Sequence, residues 1–208
     1  MEDVLEVYHR PYNPEMPVVC MDEQPVQLTK ETRTPLPIAP GQPERYDYEY
    51  ERNGTASIFM FCEPKAGVRK ATALNHRTMN DWAHQIKQLL DVQYPTATKV
   101  VLICDNLNTH KPAALYKTFE PEEARRLLNR LEIHYTPKHG SWLNMAEIEL
   151  AVLTKQCLNR RIPDLQTMQS ELKEWNINRD NEQRKINWQF TTADARIKLR
   201  RLYPTFSD

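Results

Sequence analysis

One short segment constrains the fold of this chain more than any other. Residues 100–104 read Val-Val-Leu-Ile-Cys, follow Lys99 and end at Asp105. A run of five apolar residues without polar alternation is typical of a central parallel strand that is covered on both faces. Such a strand needs helices on both sides of its sheet, so the segment predicts an α/β fold.

The flanking segments predict the rest of the sheet. Upstream, short apolar or alternating runs predict antiparallel strands, with Asn53-Gly54 as a hairpin signal, and the proline-containing stretch 30–45 predicts a loop or arm. Downstream, helical spacing alternates with further strands. The predicted order is three antiparallel strands, then βαβ units flanked by helices, then a helical C-terminal tail. The predicted strands cover residues 17–21, 46–51, 56–62, 68–74, 99–104 and 133–136, and the predicted helices cover 79–91 behind Thr78, 121–130, 141–160, 164–176 and 192–201.

Charge is balanced overall but unevenly distributed. The 208 residues include 28 Lys and Arg against 28 Asp and Glu, so the formal net charge is zero. This balance argues against a simple, strongly basic nucleic-acid coat protein. Residues 1–150 have a balance of −4 and residues 151–208 one of +4. The C-terminal part is therefore either a contact surface for a polyanion or a solvated basic face.

The cysteines and apolar runs favour a cytoplasmic protein. None of the four cysteines belongs to a C-x-x-C pair, so the sequence indicates neither a zinc knuckle nor a redox motif. The first three lie in short apolar runs, where a free Cys behaves as a small buried hydrophobe, so a disulfide framework is not expected. The acidic N-terminus does not resemble a secretory signal. The apolar runs are far shorter than the roughly 20 residues that cross a bilayer.

Acidic residues follow two of the predicted strands. Asp22 ends the first strand and Asp105 ends the central one, where ligand sites of such sheets lie. An Asp in such a place also commonly begins a turn or caps a helix, so neither residue alone indicates a site. Asp105 opens a dense polar segment, however. In it, Asn106 can orient a neighbouring carboxylate, and His110 and Lys111 can approach a phosphate.

A third acidic position lies in the helix predicted over 141–160. Glu147 and Glu149 both have apolar neighbours three and four residues away. Periodicity therefore leaves open which of the two carboxylates faces the site.

Three motifs, in this order and each in its expected element, resemble the catalytic domain of mariner-like transposases, particularly their bacterial insertion-sequence relatives. These proteins belong to the DDE transposase and retroviral-integrase superfamily, which has a ribonuclease-H-like fold. The resemblance covers about residues 16–160. The motifs are Asp22-Glu23, Asp105-Asn106-x-x-Thr109-His110 and Ser141-Trp142-Leu143-Asn144-x-x-Glu147.

The resemblance implies a metal-binding catalytic triad of Asp22, Asp105 and Glu147. The family places its glutamate three residues after the Asn of a Leu-Asn pair, which selects Glu147 over Glu149. Two departures are Met145, where the family often has Pro, and an insertion around 118–127 that lengthens the spacing between the second and third acids. The implied cofactor is Mg²⁺, with two ions expected and Mn²⁺ as a substitute.

Further residues receive roles from the same resemblance. Trp142 can stack on a displaced base, although packing beneath the helix is the favoured alternative. The supporting residues are Asn106, His110 and Asn144, and the candidate DNA contacts are Lys111, Lys138, His139, Trp142, Arg160 and Arg161.

The expected organisation follows. Residues 1–15 form an N-terminal extension, 16–160 the catalytic domain and 161–208 a basic helical tail. Expected partners are double-stranded DNA, a second copy of the chain, and an upstream helix-turn-helix portion supplied by a separate or frameshifted reading frame. The expected location is the bacterial cytoplasm, on the nucleoid when DNA is bound. The alternative function is a catalytically inactive remnant that binds DNA or a transposase.

Overall fold

The computed structural model describes residues 1–43, 45–138 and 140–203. In these residues a mixed five-stranded sheet lies between two layers of helices. The strands are β1 (Val18–Glu31), β2 (Tyr50–Glu63), β3 (Val68–Leu74), β4 (Val100–Cys104) and β5 (Leu131–Tyr135). The helices are α1 (Glu2–His9), α2 (Met79–Gln88), α3 (Pro112–Thr118), α4 (Pro121–Asn129), α5 (Ala146–Leu153), α6 (Leu165–Glu182) and α7 (Thr192–Lys198), with π-helical turns that continue α2 over Leu89–Gln93 and α5 over Thr154–Leu158.

The sheet order is β3-β2-β1-β4-β5. β2 is antiparallel to both of its neighbours, β1 and β3, whereas β4 and β5 run parallel to β1. This confirms the predicted fold class of an antiparallel section followed by βαβ units. All five residues of β4 are buried, and they alternate between the two core clusters, as its apolar sequence predicts.

The predicted end of the first strand is wrong. Asp22 does not end β1, because the strand continues to Glu31. The parallel partner β4 pairs only with Val18–Cys20, whereas pairing with β2 continues along the rest of the strand. The polar second half of β1 therefore pairs with β2 alone and is partly exposed to solvent. The apolar runs of the sequence do not predict it.

The predicted hairpin at Asn53-Gly54 is also wrong. Both residues lie inside β2, opposite a register shift in which Gln27 pairs with Thr55 but Thr29 pairs with Arg52. Between these two pairs β2 advances by three residues and β1 by two, so β2 contains a bulge. Gly54 lies in the bulge with a positive φ of 86°. The true connection between β1 and β2 is the long segment 32–49, so residues 46–49 are not strand.

Helices on the two faces build two apolar clusters. The cluster under α2, α3 and α4 includes Trp82, Ile86, Leu89 and Leu90, the predicted apolar side of α2, whose N-terminus Thr78 caps as expected. The opposite cluster lies under α1, α5, α6 and α7. Helices α1 and α3 were not predicted from the sequence.

Helix α6 protects the outer edge of β3. Asn176 accepts from the backbone N–H of Ala71 and donates to its carbonyl oxygen, at 2.8 and 2.9 Å. Gln169 donates to the carbonyl of Ala73 at 3.0 Å. Side chains of α6 thus occupy backbone groups that an unprotected edge strand would offer to another chain. Among the described residues beyond 160, the helices α6 and α7 agree with the expected helical tail, and α6 contributes to the core of the sheet.

None of the helices in the described part of the chain is long and apolar enough to cross a membrane.

Two glycines with similar backbone conformations offer a matched test of packing. Gly54 has a φ of 86° and Gly67 one of 79°, so a side chain at either costs about 1–2 kcal/mol. A Cβ at position 54 meets nothing within 4 Å, whereas at position 67 it lies 2.6 Å from the carbonyl oxygen of Gln183. We expect Gly67→Ala to lower the free energy of unfolding by about 1–3 kcal/mol more than Gly54→Ala does. Equal losses in urea unfolding would show that this contact is not tight.

Candidate active site

The two aspartates lie at equivalent places on neighbouring parallel strands. The last parallel pair is Cys20 with Ile103. Asp22 and Asp105 each stand two residues beyond that pair, and neighbouring strands are about 4.8 Å apart. The sheet therefore brings the two aspartates together, although Asp22 lies within β1 rather than at its end.

Electrostatics link a third carboxylate to this pair. Burial and the negative charges of Asp105 and Glu147 raise the pKa of Asp22 to about 6, against the opposing effects of the backbone N–H of Glu23 and of His110. Glu147 lies in the first turn of α5, half-buried. Asp22 thus lies close enough to both other acids of the predicted triad to be affected by their charges.

The structure gives Glu149 a different environment. Its side chain is 2% exposed and is bound by Arg69 at 2.8 Å and by Arg179 at 3.1 Å. These arginines come from β3 and α6, which pack on the other side of α5 from the aspartates. Glu149 therefore belongs to a buried ion cluster, which we call the Arg69–Glu149–Arg179 cluster.

Asn144 connects the strand of Asp22 to the helix of Glu147. The Asn144 side chain is buried, and its Nδ2 donates to the carbonyl oxygen of Met21 at 2.8 Å and to Oδ2 of Asp22 at 3.3 Å. Its Oδ1 accepts from the backbone N–H of Ala146 at 3.2 Å, at the start of α5. One amide therefore fixes the distance between β1 and α5.

His110 binds the other aspartate. Its Nδ1 contacts Oδ1 of Asp105, and its Nε2 lies 2.9 Å from Oε1 of Glu23. Burial alone would lower the pKa of His110, but the hydrogen bonds with Asp105 and Glu23 outweigh it and raise the pKa to about 9. Sequence reasoning gave no role to Glu23, although it stands in the first motif.

A small cleft opens beside Asp105. It has a volume of about 420 Å³ and is lined by Asn106, Lys138 and Ser141 among others. Lys138 is exposed. Lys111 donates to Oδ1 of Asn106, and its Nζ lies 4.0 Å from the centre of the Tyr135 ring. The predicted contact His139 lies outside the described residues.

The favoured alternative for Trp142, packing beneath the helix, is wrong. Trp142 is 42% exposed and stacks on Trp188 with ring centres 6.5 Å apart, while Phe190 meets it edge-on at 5.7 Å.

The two predicted basic contacts at 160 and 161 are engaged within the chain. Arg160 pairs with Glu171. Arg161 pairs with Glu31, donates to the carbonyl of Glu49 at 2.9 Å and so ties the 32–49 segment to the body. Both guanidinium groups therefore have carboxylate partners within the chain, and the Arg160 side chain is 55% exposed.

The donor set suits a divalent metal ion. Carboxylate oxygens are the ligands that Mg²⁺ and Mn²⁺ prefer, and a cation beside Asp22 would relieve the repulsion that raises its pKa. In the described residues, no three acidic, His or Cys side chains already surround a common point at ligand distances. Glu147, whose side chain makes no hydrogen bond or ion pair with described residues, is free to complete the set.

Comparison with known proteins shows which family the chain belongs to. A family model described as "DDE superfamily endonuclease" matches residues 17–169. The chain belongs to this DDE endonuclease family. No curated protein matches the chain.

Solved structures of the Mos1 mariner transposase share the fold. The paired end complex with Mn matches with a TM-score of 0.57 and 18% identity over 87% of this chain and 54% of that one. The paired-end complex with the left transposon end gives 0.56 and 17% over 85% and 53%, and the strand transfer complex 0.57 and 17% over 88% and 53%. This DDE endonuclease chain therefore spans about half the length of the Mos1 chains.

Proposed function

We propose that this chain is the catalytic domain of a metal-dependent DNA transposase that excises and inserts an insertion sequence. In this proposal Asp22, Asp105 and Glu147 hold two Mg²⁺ ions, for which Mn²⁺ substitutes. The observation that carries the proposal is the strand register, which sets Asp22 and Asp105 two residues beyond the last pair of β1 with β4. The charge of Glu147 on α5 also acts on Asp22. Membership of the DDE endonuclease family supports the proposal.

The chemistry is the same displacement performed twice. Water attacks a DNA phosphodiester to cleave the strand, and the released 3′-hydroxyl later attacks a phosphodiester of target DNA to join it. The metal ions would activate the nucleophile and stabilise the leaving oxygen. The chain's own residues orient the ligands: Asn144 holds Asp22, and His110 holds Asp105.

Basic and aromatic groups around the site would receive the DNA. Lys138 stands at the cleft beside Asp105 and can contact a phosphate near the reacting one. The exposed face of Trp142 can stack on an unpaired base. Lys111 contributes charge on the opposite side of Asn106, and His139 lies next to Lys138 in sequence.

The partners belong to the same proposal. Mos1 was solved as a paired-end complex with a transposon end, and a corresponding assembly here would be a dimer of this chain on double-stranded DNA. An upstream helix-turn-helix portion would supply recognition of the ends. Such a protein would act in the cytoplasm, on the nucleoid.

A nicking assay tests the proposed activity without requiring recognition of the ends. Supercoiled plasmid is incubated with the chain and Mn²⁺ or Mg²⁺, in parallel with Asp22→Asn and Asp105→Asn. We expect nicking that EDTA abolishes and that either substitution lowers by roughly 10³-fold, since an aspartate ligand is lost. Glu132→Gln, on β5 away from the site, serves as the control with normal activity.

Two outcomes would contradict the proposal. Equal nicking by the wild type and Asp105→Asn would show that the activity comes from elsewhere. No nicking, together with no Mn²⁺ binding, would favour the inactive remnant that binds DNA or another transposase.

A further inference from the structure

A buried chain of hydrogen bonds runs from Glu23 through His110 to Asp105. The Glu23 and His110 side chains are 3% and 1% exposed, whereas Asp105 is 31% exposed. Nε2 of His110 lies 2.9 Å from Oε1 of Glu23, and Nδ1 contacts Oδ1 of Asp105. The outer end of this chain is thus a proposed metal ligand, and its inner end is a carboxylate with no assigned role.

The imidazole is fixed in place by its surroundings. The ring of Trp82 stacks on it with centres 5.7 Å apart and planes 27° from parallel. The Tyr135 hydroxyl donates to the His110 carbonyl oxygen at 2.9 Å. Carboxylates also face both ring nitrogens, so a rotation of the ring would break both contacts.

Glu23 also contacts the other aspartate through its backbone. Its N–H donates to Oδ1 of Asp22 at 2.7 Å. The same residue therefore holds one aspartate directly and the second through His110. Its neighbours in β1 do not share this role, since the Gln24 side chain faces Thr154 on the opposite side.

We propose that Glu23 is a positioning residue that, through His110, dedicates Oδ1 of Asp105 to the imidazole and leaves Oδ2 for the metal ion. This inference rests on the proposed function. A carboxylate has a broad, roughly two-fold torsion at its end, so a partly exposed aspartate without such a partner samples several orientations. Partners of this kind behind a metal ligand typically change metal affinity by 10–100-fold.

The test compares Mn²⁺ binding by the full chain and two matched variants, by calorimetry without DNA. Glu23→Gln removes the inner carboxylate with little change of shape. Glu132→Gln removes a carboxylate that also lies 2.9 Å from a histidine Nε2, that of His134, further back along β5. We expect Glu23→Gln to weaken Mn²⁺ binding by about 10–100-fold and Glu132→Gln to leave it within twofold.

A spectroscopic readout separates positioning from a general loss of structure. In ¹⁵N NMR spectra of the wild type, both ring nitrogens of His110 should have the signals of hydrogen-bonded imidazole nitrogens. In Glu23→Gln the Nε2 signal should change while backbone signals of α6, remote from the site, stay in place. This wild-type measurement tests the inference even where Glu23→Gln fails to fold, because an Nε2 that makes no hydrogen bond contradicts it.

The failures are distinguishable. Wild-type chain that binds Mn²⁺ tightly, with Glu23→Gln unchanged, overturns the positioning role and leaves the metal site intact. Wild-type chain that binds no Mn²⁺, or binds it equally after Asp105→Asn, overturns the proposed metal site and the inference with it.

Discussion

Glu149→Gln should destabilise this protein by about 3–5 kcal/mol, the largest loss of stability that we expect from one shape-conserving substitution. Glu149 is the sole anion in the Arg69–Glu149–Arg179 cluster, and Arg69 is 1% exposed. Removing the carboxylate leaves two buried guanidinium groups next to each other without the negative charge that balances them. Within the described residues, Arg69 has no other ion pair, whereas Arg179 also reaches Glu182.

Glu123→Gln is the matched control. Glu123 is bound by Lys87 and Arg126 on the surface, where such pairs contribute about 0–1 kcal/mol. Urea unfolding of both variants measures the difference. A loss below about 1 kcal/mol for Glu149→Gln would mean that the buried cluster is not what joins β3, α5 and α6.

Glu147→Gln should have the opposite profile, with normal stability and lost activity. The Glu147 side chain makes no hydrogen bond or ion pair with described residues, so its loss should change the free energy of unfolding by no more than about 0.5 kcal/mol. Its removal relieves part of the repulsion at Asp22. As a proposed metal ligand, however, it would stabilise the transition state by several kcal/mol, and nicking should fall roughly 10³-fold.

The control for this variant is the next residue in the sequence. Ile148 lies between the two glutamates on α5 and is 44% exposed. Ile148→Ala should keep both stability and nicking near the wild-type values. If Glu147→Gln nicks DNA at the wild-type rate, the third ligand is a different residue.

Elements with a local pattern were predictable from the sequence. The boundaries of β3 at Val68–Leu74 match the prediction, and Thr78 caps α2 as expected. The strand β4 needs no partner to be recognised, since five apolar residues between charged ones leave few alternatives. These signals lie within the segments themselves.

The wrong predictions depend on contacts with distant residues. The second half of β1 is polar, and only its pairing with β2 makes it a strand. Asn53-Gly54 has the composition of a hairpin turn, but the register of the long β1–β2 pair makes it a bulge. No local pattern encodes that register.

The candidate site shows the same division. The positions of Asp22 and Asp105 relative to β4 follow from the strand pattern. The choice between Glu147 and Glu149 does not, because the partners of Glu149 are 80 and 30 residues away in sequence. Glu23 escaped attention for a similar reason, since its partner His110 is 87 residues away.

The most direct test of the proposed metal centre is crystallographic. Crystals of the chain grown or soaked with Mn²⁺ would be measured near the manganese absorption edge. We expect an anomalous difference peak between Asp22 and Asp105, with carboxylate oxygens at about 2.0–2.3 Å, Oδ2 of Asp105 among them, and Glu147 turned toward it. A peak at saturating Mn²⁺ that lies elsewhere, or no peak at all, would contradict the assignment of these three carboxylates as the catalytic centre.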